Sequence, residues 1–314
     1  MKVHIAEDRF KARKPVVTIG VFDGVHKGHK KLLARLKEEA QKIGGESVVV
    51  TLWPHPRLVL GKDIKNLKLL NTLEEKERLI EKHGIDHLLI IPFDKHTSLY
   101  SACDFTEYIL VNYIEVHKLI IGYDHHFGKG REGGYNDLKA CAQEYQFELE
   151  RIEAEHVEGV KISSTKIREA LLSGQLKAAN NYLGYEYFIS GTVTGGHQIG
   201  NTLGFPTANI EIRNPYKLIP KDGVYAIRAN IEGKNVYGMM NIGYRPTFDK
   251  YGFRKTIETH LFDFNQDIYN KKMSIHFIQR IRDEKKFNNI DELVNQLKKD
   301  KKIISQMLQS RFNS

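Results

Sequence analysis

The segment 20–29, GVFDGVHKGH, places two histidines and three glycines directly after an apolar run over residues 15–22, which is predicted to form a strand. A helix is predicted to follow over residues 30–43. A helix start offers free backbone N–H groups and a positive dipole end to a phosphate, and glycines let the main chain approach it closely. His26 and His29 can donate hydrogen bonds to oxygens that gain charge during phosphorus chemistry. The segment therefore predicts a nucleotidyl-transfer site.

The histidine pair has two other possible interpretations. A glycine-rich turn with two surface histidines is the commoner origin of an isolated HxxH pattern. A zinc metalloprotease site is weaker still, because HKGH does not match HExxH. The place of the pair favours phosphate binding, since ligands of open α/β sheets bind beyond the carboxyl ends of the strands.

A second segment, 162–168 (ISSTKIR), stands just before a helical pattern. Ser163 or Ser164 is a natural N-cap, and a capped helix is sufficient to explain the serines alone. Three hydroxyl side chains followed by Arg168 one turn later can also clamp a nucleotide phosphate, because a guanidinium gives two parallel hydrogen bonds.

The second half of the chain offers a different phosphate cradle. No Walker A motif is present, because Gly128-Lys129 precedes glycine and not Ser or Thr. The glycine-rich segments 191–196 and 200–209 could instead surround a phosphate chain with backbone N–H groups. In the second, Thr207 and Asn209 would face the same side of an extended strand and offer the neutral oxygens that suit Mg²⁺. A β-turn followed by a strand start is the simpler alternative.

Glu258 begins a short stretch of alternating polar and apolar residues. A carboxylate pointing inward from such a strand could accept the proton of an attacking hydroxyl. A lone strand glutamate more often faces solvent. A catalytic role for Glu258 is therefore indicated only in combination with the upstream segments.

The hydrophobic pattern predicts two domains. Short apolar strands alternate with helical patterns in the first half, which indicates βαβ units and a parallel sheet. Strands are predicted over 15–22, 47–53, 87–92, 118–122 and 147–152, with helices over 30–43, 73–83, 104–113 and 135–145. From near Gly184 the sequence pattern is typical of strands, and its turn signals are typical of an antiparallel β-barrel. An amphipathic helix is predicted over 290–309. We predict a Rossmann-like nucleotidyltransferase domain over 1–183 and a barrel with a terminal helix over 184–314.

Charge and cysteine usage narrow the classes of partner. The 314 residues carry a net charge of +9 and a pI of about 9.2, which favours anionic ligands. The basic residues are dispersed, and the patch at 298–302 is expected to be a solvated helix face.

The two cysteines, Cys103 and Cys141, form no CxxC pair, so a disulfide framework is not expected. Residues 1–14 lack the apolar core of a signal peptide, and no apolar run could span a bilayer, so a cytoplasmic location without a membrane partner is expected.

Taken together, the motifs resemble the bacterial FAD synthetase family, in which an FMN adenylyltransferase domain is joined to a riboflavin kinase domain. The first half is similar in VHKGH, ISSTKIR and the segments 54–57 (PHPR), 92–94 (PFD) and 122–128 (GYDHHFG). The second half is similar in PTAN at 206–209, NIGYRPTF at 241–248 and Glu258, in that order. The resemblance covers about residues 14 to 300.

The resemblance implies specific roles and small-molecule partners: riboflavin, FMN, FAD and ATP with Mg²⁺. It implies that His26 and His29 are catalytic in adenylyl transfer and that Glu258 is the general base on the ribityl 5′-hydroxyl. The ATP site of the adenylyltransferase would comprise Gly20, Phe22, Asp23, Gly24, His26, Gly28, His29, Ser164, Thr165 and Arg168. The flavin side of that site would include His55, Asp124 and Phe127. The ATP site of the kinase would comprise Gly191, Gly195, Gly204, Thr207 and Asn209, with Thr207 and Asn209 on Mg²⁺.

Three positions depart from the family pattern and two other functions stay open. Trp53 stands where the family has an acidic residue, Asn201 where a basic residue is usual, and Asn270 where glycine is common. One alternative is adenylyl transfer only, with a degenerate barrel that merely binds flavin. The other is a nucleic-acid-binding barrel with stacking aromatics, although the chain has no RNP-type motif. The sequence does not set the oligomeric state, and a monomer is compatible with it.

Overall fold

The computed structural model describes residues 1–6, 10–61, 67–157, 159–195, 204–246 and 253–312. Contacts divide the chain into two compact units, Met1–Ser164 and Thr165–Ser314. The boundary predicted from the change of pattern, between residues 183 and 184, lies further along the chain than this division. Residues 196 and 200–203 of the predicted phosphate cradle, with Asn201 among them, and residues 247 and 248 of the NIGYRPTF segment lie outside the described residues.

The first unit is built on a six-stranded sheet whose order is β1-β4-β3-β2-β5-β6. Every ladder in it is parallel. The strands are β1 Lys2–Ile5, β2 Val16–Ile19, β3 Ser47–Trp53, β4 His87–Pro92, β5 Lys118–Gly122 and β6 Glu148–Ile152. The helices are α1 Lys27–Lys42, α2 Pro56–Val59, α3 Leu73–Glu81, α4 Ala102–Phe105, continued by a π-helical segment Thr106–Tyr113, and α5 Tyr135–Glu144. The small hairpin β7 His156–Val157 and β8 Val160–Lys161 closes the unit. The predicted parallel sheet is confirmed.

Helices cover both faces of this sheet. Apolar side chains such as Val17 and Val50 pack with residues of α4, the π-helical segment and α5 in one core cluster. Successive side chains of a strand point to opposite faces, so Thr51 and Lys118 face the other side. There the Lys118 ammonium contacts a carboxylate oxygen of Glu39 on α1 at 2.6 Å. Both faces are therefore buried, which is why the strands read as continuous apolar runs.

The second unit is a closed antiparallel barrel with helices around it. Two helices come first, α6 Ser164–Ser173, whose first residue belongs to the first unit, and α7 Leu176–Leu183, and α8 Ile290–Phe312 comes last. The barrel order is β10-β13-β12-β11-β14-β9. Its strands are β9 Phe188–Thr194, β10 Ala208–Glu211, β11 Gly223–Ile231, β12 Lys234–Pro246, β13 Phe253–Leu261 and β14 Lys272–Arg282. The predicted barrel and terminal helix are both confirmed.

The helices of the second unit are fastened to the barrel by apolar and polar contacts. On α8, Ile304 and Leu308 are buried in a cluster with Phe205 and with barrel residues. On α7, the Asn180 side chain donates to the backbone oxygen of Phe277 at 3.0 Å and accepts from the Tyr187 N–H at 2.8 Å. These contacts make α7 and α8 parts of the barrel's own fold.

Within the described ranges, no helix is long and apolar enough to cross a membrane. Cys103 and Cys141 are both free thiols.

Candidate functional site

A strained turn joins β2 to the start of α1. Phe22 and Val25 have positive φ values of 50° and 38°, and Gly24 between them has 93°. A positive φ is costly for a β-branched residue such as Val25, and such strain is found mainly where function requires a particular backbone. Gly28 is needed for a different reason, because a Cβ there would lie 3.3 Å from the His26 ring. The strained turn therefore lowers local stability, and it places α1 and its histidines at the carboxyl end of the sheet.

His26 and His29 form a stacked pair at the opening of α1. His26 is the N-cap residue, and its Nδ1 accepts a hydrogen bond from the His29 backbone N–H at 3.4 Å. The two rings lie 3.7 Å apart between centroids and only 14° from parallel. Phe22 supports the His29 ring from another side at 5.1 Å. The pair is therefore fixed where the dipole and free N–H groups of α1 would meet a phosphate.

The His29 ring is electrically neutral at physiological pH. Burial, followed by the nearby His26 and Lys76, holds the pKa of His29 well below its usual value of 6.5. Its Nδ1 is buried and makes no hydrogen bond within the described residues. An unmet polar atom of this kind at a helix start is typical of a site built to receive a ligand oxygen.

Asp23 and Ser164 connect two motifs that lie far apart in sequence. The Ser164 hydroxyl donates to the backbone oxygen of Asp23 at 2.7 Å. The Asp23 carboxylate accepts from the backbone N–H groups of Leu70 and Asn71 at 2.9 and 3.2 Å. Asp23 is only 5% exposed, so it acts first as an anchor of the turn. The structure thus unites the GVFDGVHKGH turn with the first serine of α6.

Thr165 and Arg168 lie on the first two turns of α6, in the second unit. Three residues predicted on the flavin side belong to the first unit but occupy different places. His55 is the N-cap of α2, and its Nδ1 accepts from the Arg57 N–H at 3.2 Å. Asp124 is exposed and forms an ion pair with Lys161 at 3.4 Å, whereas Phe127 is buried and its ring stacks on His125.

Lys76, which lies on the first turns of α3, was not predicted from the sequence to belong to the site. Its side chain is 1% exposed, and its ammonium donates to the Thr51 hydroxyl at 3.2 Å. A lysine flanked by glutamates on an amphipathic helix predicts a solvated face, so the residue types alone gave no signal. The only hint was Trp53, the unusual residue whose ring lies 5.3 Å from the Lys76 ammonium.

In the barrel, strand register brings Asn209 and Glu258 side by side. The two are directly paired across β10 and β13, and Glu258 is also paired with Asn241 on β12. Directly paired residues project from the same face with Cβ atoms about 5 Å apart. A carboxylate thus stands between two amides in one row across three strands, next to the predicted Mg²⁺ ligand. Thr207 lies one residue before the start of β10.

His260 is a second residue near the site that was not predicted from the sequence. It lies two positions after Glu258 on β13, and its Nδ1 is 2.8 Å from the Pro206 carbonyl oxygen. An N–H at Nδ1 is required for that bond, so the ring holds the residue just before Thr207. Phe205, buried and 5.2 Å from the His260 ring, fixes the same segment from the core side. The predicted Mg²⁺ segment is therefore held by β13 and by the barrel core.

The predicted glycines of the kinase cradle differ in what the backbone requires of them. Gly191 lies within β9, where a Cβ would come 2.6 Å from the Glu211 backbone oxygen, so it permits close pairing with β10. Gly204 has a positive φ of 76°, and a Cβ at Gly195 would meet open space. Asn270, where the family favours glycine, has a φ of 64°, a conformation that asparagine tolerates better than most residues.

Acid is expected to destabilise this chain through its buried histidines. The pKa values of His29, His83 and His260 are all lowered, in each case chiefly by burial. Below the unfolded value of 6.5 the unfolded chain binds more protons than the native one, so stability falls as pH falls. Thermal unfolding from about pH 7.5 to about pH 5.5 should show a falling Tm. His260→Phe should flatten that slope, while a change at exposed His96 should not. An equal slope in both variants would contradict the attribution.

Two family models match this chain. One, described as FAD synthetase, matches residues 9–166, and the other, described as riboflavin kinase, matches residues 183–308. The bifunctional riboflavin kinase/FMN adenylyltransferase of Bacillus subtilis is 39% identical over 293 residues, which cover 92% of this chain and 90% of the relative. The protein of the same name from Escherichia coli K12 is 37% identical over 286 residues, covering 91% and 90%.

One solved structure shares the fold over almost the whole of both chains. It is a crystal structure described as a macrolide-efflux protein from Streptococcus pneumoniae, with a TM-score of 0.88, 31% identity, and coverage of 96% of this chain and 98% of that one. The resemblance drawn from the motifs is confirmed by the two family models and by the curated relatives. The chain belongs to the bifunctional riboflavin kinase/FMN adenylyltransferase family.

Proposed function

We propose that this chain phosphorylates riboflavin to FMN with ATP, and then transfers an adenylyl group from a second ATP to FMN, giving FAD and pyrophosphate. The observation that carries the proposal is the presence of two different phosphate-handling constellations in one chain. The first unit has the His26–His29 pair at the start of α1, and the second has the Asn209–Glu258 pair in the barrel. The first pair lies within the residues matched by the FAD synthetase model, and the second lies within those matched by the riboflavin kinase model.

For adenylyl transfer, the first unit supplies positioning and charge stabilisation. A phosphate oxygen of FMN attacks the α-phosphorus of ATP, the bond from that phosphorus to the bridging oxygen breaks, and pyrophosphate leaves. The N-terminal N–H groups of α1 and the imidazoles of His26 and His29 would hold the phosphate oxygens as charge builds up. No covalent enzyme intermediate is needed. We assign Ser164, Thr165 and Arg168 to the ATP phosphates, and His55, Asp124 and Phe127 to the flavin side.

For phosphoryl transfer, Glu258 would accept the proton of the ribityl 5′-hydroxyl. The oxygen then attacks the γ-phosphorus of ATP, and ADP leaves. Thr207 and Asn209 would hold Mg²⁺, which neutralises charge on the ATP phosphates when bound. The donor set fits that ion, because a hydroxyl and an amide oxygen are hard oxygen ligands of the kind that Mg²⁺ accepts together with water. His260 would keep this segment in place through the Pro206 carbonyl.

Two parallel reactions test the proposal because their nucleotide products differ. Riboflavin with MgATP should give FMN and ADP, and FMN with MgATP should give FAD and pyrophosphate. Pyrophosphate and FAD without any conversion of riboflavin would favour the alternative, an adenylyltransferase with an inactive flavin-binding barrel. Failure of both reactions, with salt-dependent binding of an oligonucleotide, would favour the nucleic-acid-binding alternative.

A truncation separates the proposed domains, 1–183 for adenylyl transfer and 184–314 for riboflavin phosphorylation. Residues 184–314 should make FMN and no FAD. Residues 165–314 should do the same with a higher Tm, because α7 buries Leu176, Ala179 and Leu183 and its Asn180 bonds to the barrel. Circular dichroism and thermal unfolding of both pieces check this. Equal Tm values would show that α6 and α7 contribute nothing to the barrel's stability, and FAD formation by either piece would contradict the division of activities.

A further inference from the structure

The Lys76 side chain is among the most deeply buried in the first unit, although it carries an ammonium group. It is 1% exposed, and its one hydrogen bond is to the Thr51 hydroxyl at 3.2 Å. The Trp53 ring lies 5.3 Å away and provides a cation–π contact. Within the described ranges, no carboxylate lies at ion-pair distance from this ammonium. Two of its three N–H donors are therefore without an acceptor there.

A buried ammonium without a carboxylate partner is expensive to maintain. Burial lowers the pKa of Lys76 to about 8, against the opposing influence of Asp23 and Glu77. A methionine or leucine would fill the same space with no desolvation cost, and buried charges of this kind are concentrated at functional sites. Packing alone does not account for the charge.

The groups whose protonation is influenced by the Lys76 charge belong to the proposed adenylyltransferase site. Asp23, in the strained turn before α1, is close enough to oppose the loss of the Lys76 proton. His29 is close enough for Lys76 to disfavour protonation of its ring, together with His26. Asp23 in turn is the residue that anchors the turn to residues 70 and 71, just before α3. The Thr51 hydroxyl that accepts from Lys76 also donates to the backbone oxygen of Val21, in the same turn, at 3.4 Å. Lys76 is thus connected to the turn by hydrogen bonds through Thr51 as well as by charge.

We propose that Lys76 is a positioning residue for adenylyl transfer, tied through Thr51 to the turn that carries His26 and His29, whose buried ammonium adds positive charge to the phosphate site. The ammonium attracts the phosphates through the first unit's interior, and its charge adds to the effect of burial in disfavouring protonation of His29. Trp53 permits this, because an aromatic ring stabilises the cation without cancelling its charge as a carboxylate would. The inference rests on the proposed adenylyl transfer by the first unit.

Lys76→Met removes the charge and keeps the volume, while Lys76→Arg keeps the charge. Lys82→Met, at an exposed site at the end of the same helix, is the matched control. Lys76→Met should lower kcat/KM for FAD formation from FMN by roughly tenfold to a hundredfold. This decrease is no larger than the one expected when a direct hydrogen-bond donor is removed. FMN formation from riboflavin in the same chain should be unchanged. The Tm should stay the same or rise slightly.

Two pH measurements separate an electrostatic role from a structural one. The His29 ring, followed by NMR of labelled histidine, should titrate at a higher pH in Lys76→Met than in the wild type and in Lys76→Arg. In the wild type, FAD formation should decline as pH rises through about 8, where Lys76 loses its proton. That decline should be absent in Lys76→Arg, which stays charged, and in Lys76→Met, which never carries the charge.

An unmoved His29 titration in Lys76→Met, with kcat/KM within about twofold of the wild type, overturns the inference. So does a parallel loss of both activities with a lower Tm, which would make Lys76 a structural residue. If Lys76→Met does not fold, an alkaline decline that persists in Lys76→Arg overturns it as well. If the wild type makes no FAD from FMN, the proposed function fails, and the His29 titration alone still decides whether Lys76 disfavours protonation of this ring.

Discussion

Replacing His29 by alanine is expected to lower FAD formation from FMN by about 10²-fold or more, the usual scale for losing a transition-state hydrogen-bond donor. The ring is fixed by stacking on His26 and by Phe22, so its loss removes a donor that was already in position. Because the ring is neutral in the free protein, the loss reflects a missing hydrogen bond and not a missing charge. Steady-state rates with FMN and ATP measure the effect.

FMN formation from riboflavin by His29→Ala is the internal control, and it should equal the wild-type rate. His96→Ala, at an exposed site elsewhere in the first unit, should leave both activities unchanged. If His29→Ala lost both activities to the same degree, the two reactions would not occupy separate sites. A wild-type rate of FAD formation would remove His29 from the adenylyltransferase site.

The second large effect is expected at Glu258. A primary alcohol is a poor nucleophile at neutral pH, and a carboxylate that accepts its proton typically contributes about 10² to 10⁴-fold. Glu258→Gln keeps the size and much of the hydrogen bonding of the side chain but removes the base. Turnover of riboflavin to FMN should fall by that factor while the KM for ATP stays nearly constant, since only the transition state loses its partner.

Asp263→Asn is the matched control, because this carboxylate is exposed in the turn after β13 and should be dispensable. Adenylylation of supplied FMN should continue normally in both variants. Wild-type kinase turnover in Glu258→Gln would refute the base assignment. A fall in ATP affinity alongside turnover would instead place Glu258 in the shell of Mg²⁺, which its pairing with Asn209 also allows.

Local patterns were sufficient to predict the elements that hold the candidate sites. β2 and β3 are buried on both faces, so they read as apolar runs. The turn after β2 has a glycine, Gly24, at one of its three positive-φ positions, whereas nothing in the sequence predicted the positive φ of Phe22 and Val25. β1 was missed because it is a short edge strand with the largely exposed sequence KVHI, which lacks an apolar signal. Asp300, expected on a solvated face, is instead buried, with a bidentate contact from Arg282.

The contacts that complete each site could not be predicted, because they depend on which segments meet. The pairing of Asn209 with Glu258 depends on the register of β10 against β13, which no residue type specifies. Lys76 reads as a surface lysine until Thr51 and Trp53 are known to lie beneath α3. His260 reads as one more polar residue in a strand until Pro206 is found next to its ring.

If one chain carries out two successive reactions, a single time course should show both of them. The wild-type protein is given riboflavin and MgATP, and riboflavin, FMN and FAD are separated by chromatography at intervals. FMN should appear first, and FAD should follow with a lag. With His29→Ala, FMN should accumulate and FAD should stay low. Riboflavin that remains unconverted in the presence of the wild-type chain, while supplied FMN is turned into FAD, would contradict this expectation of two successive reactions.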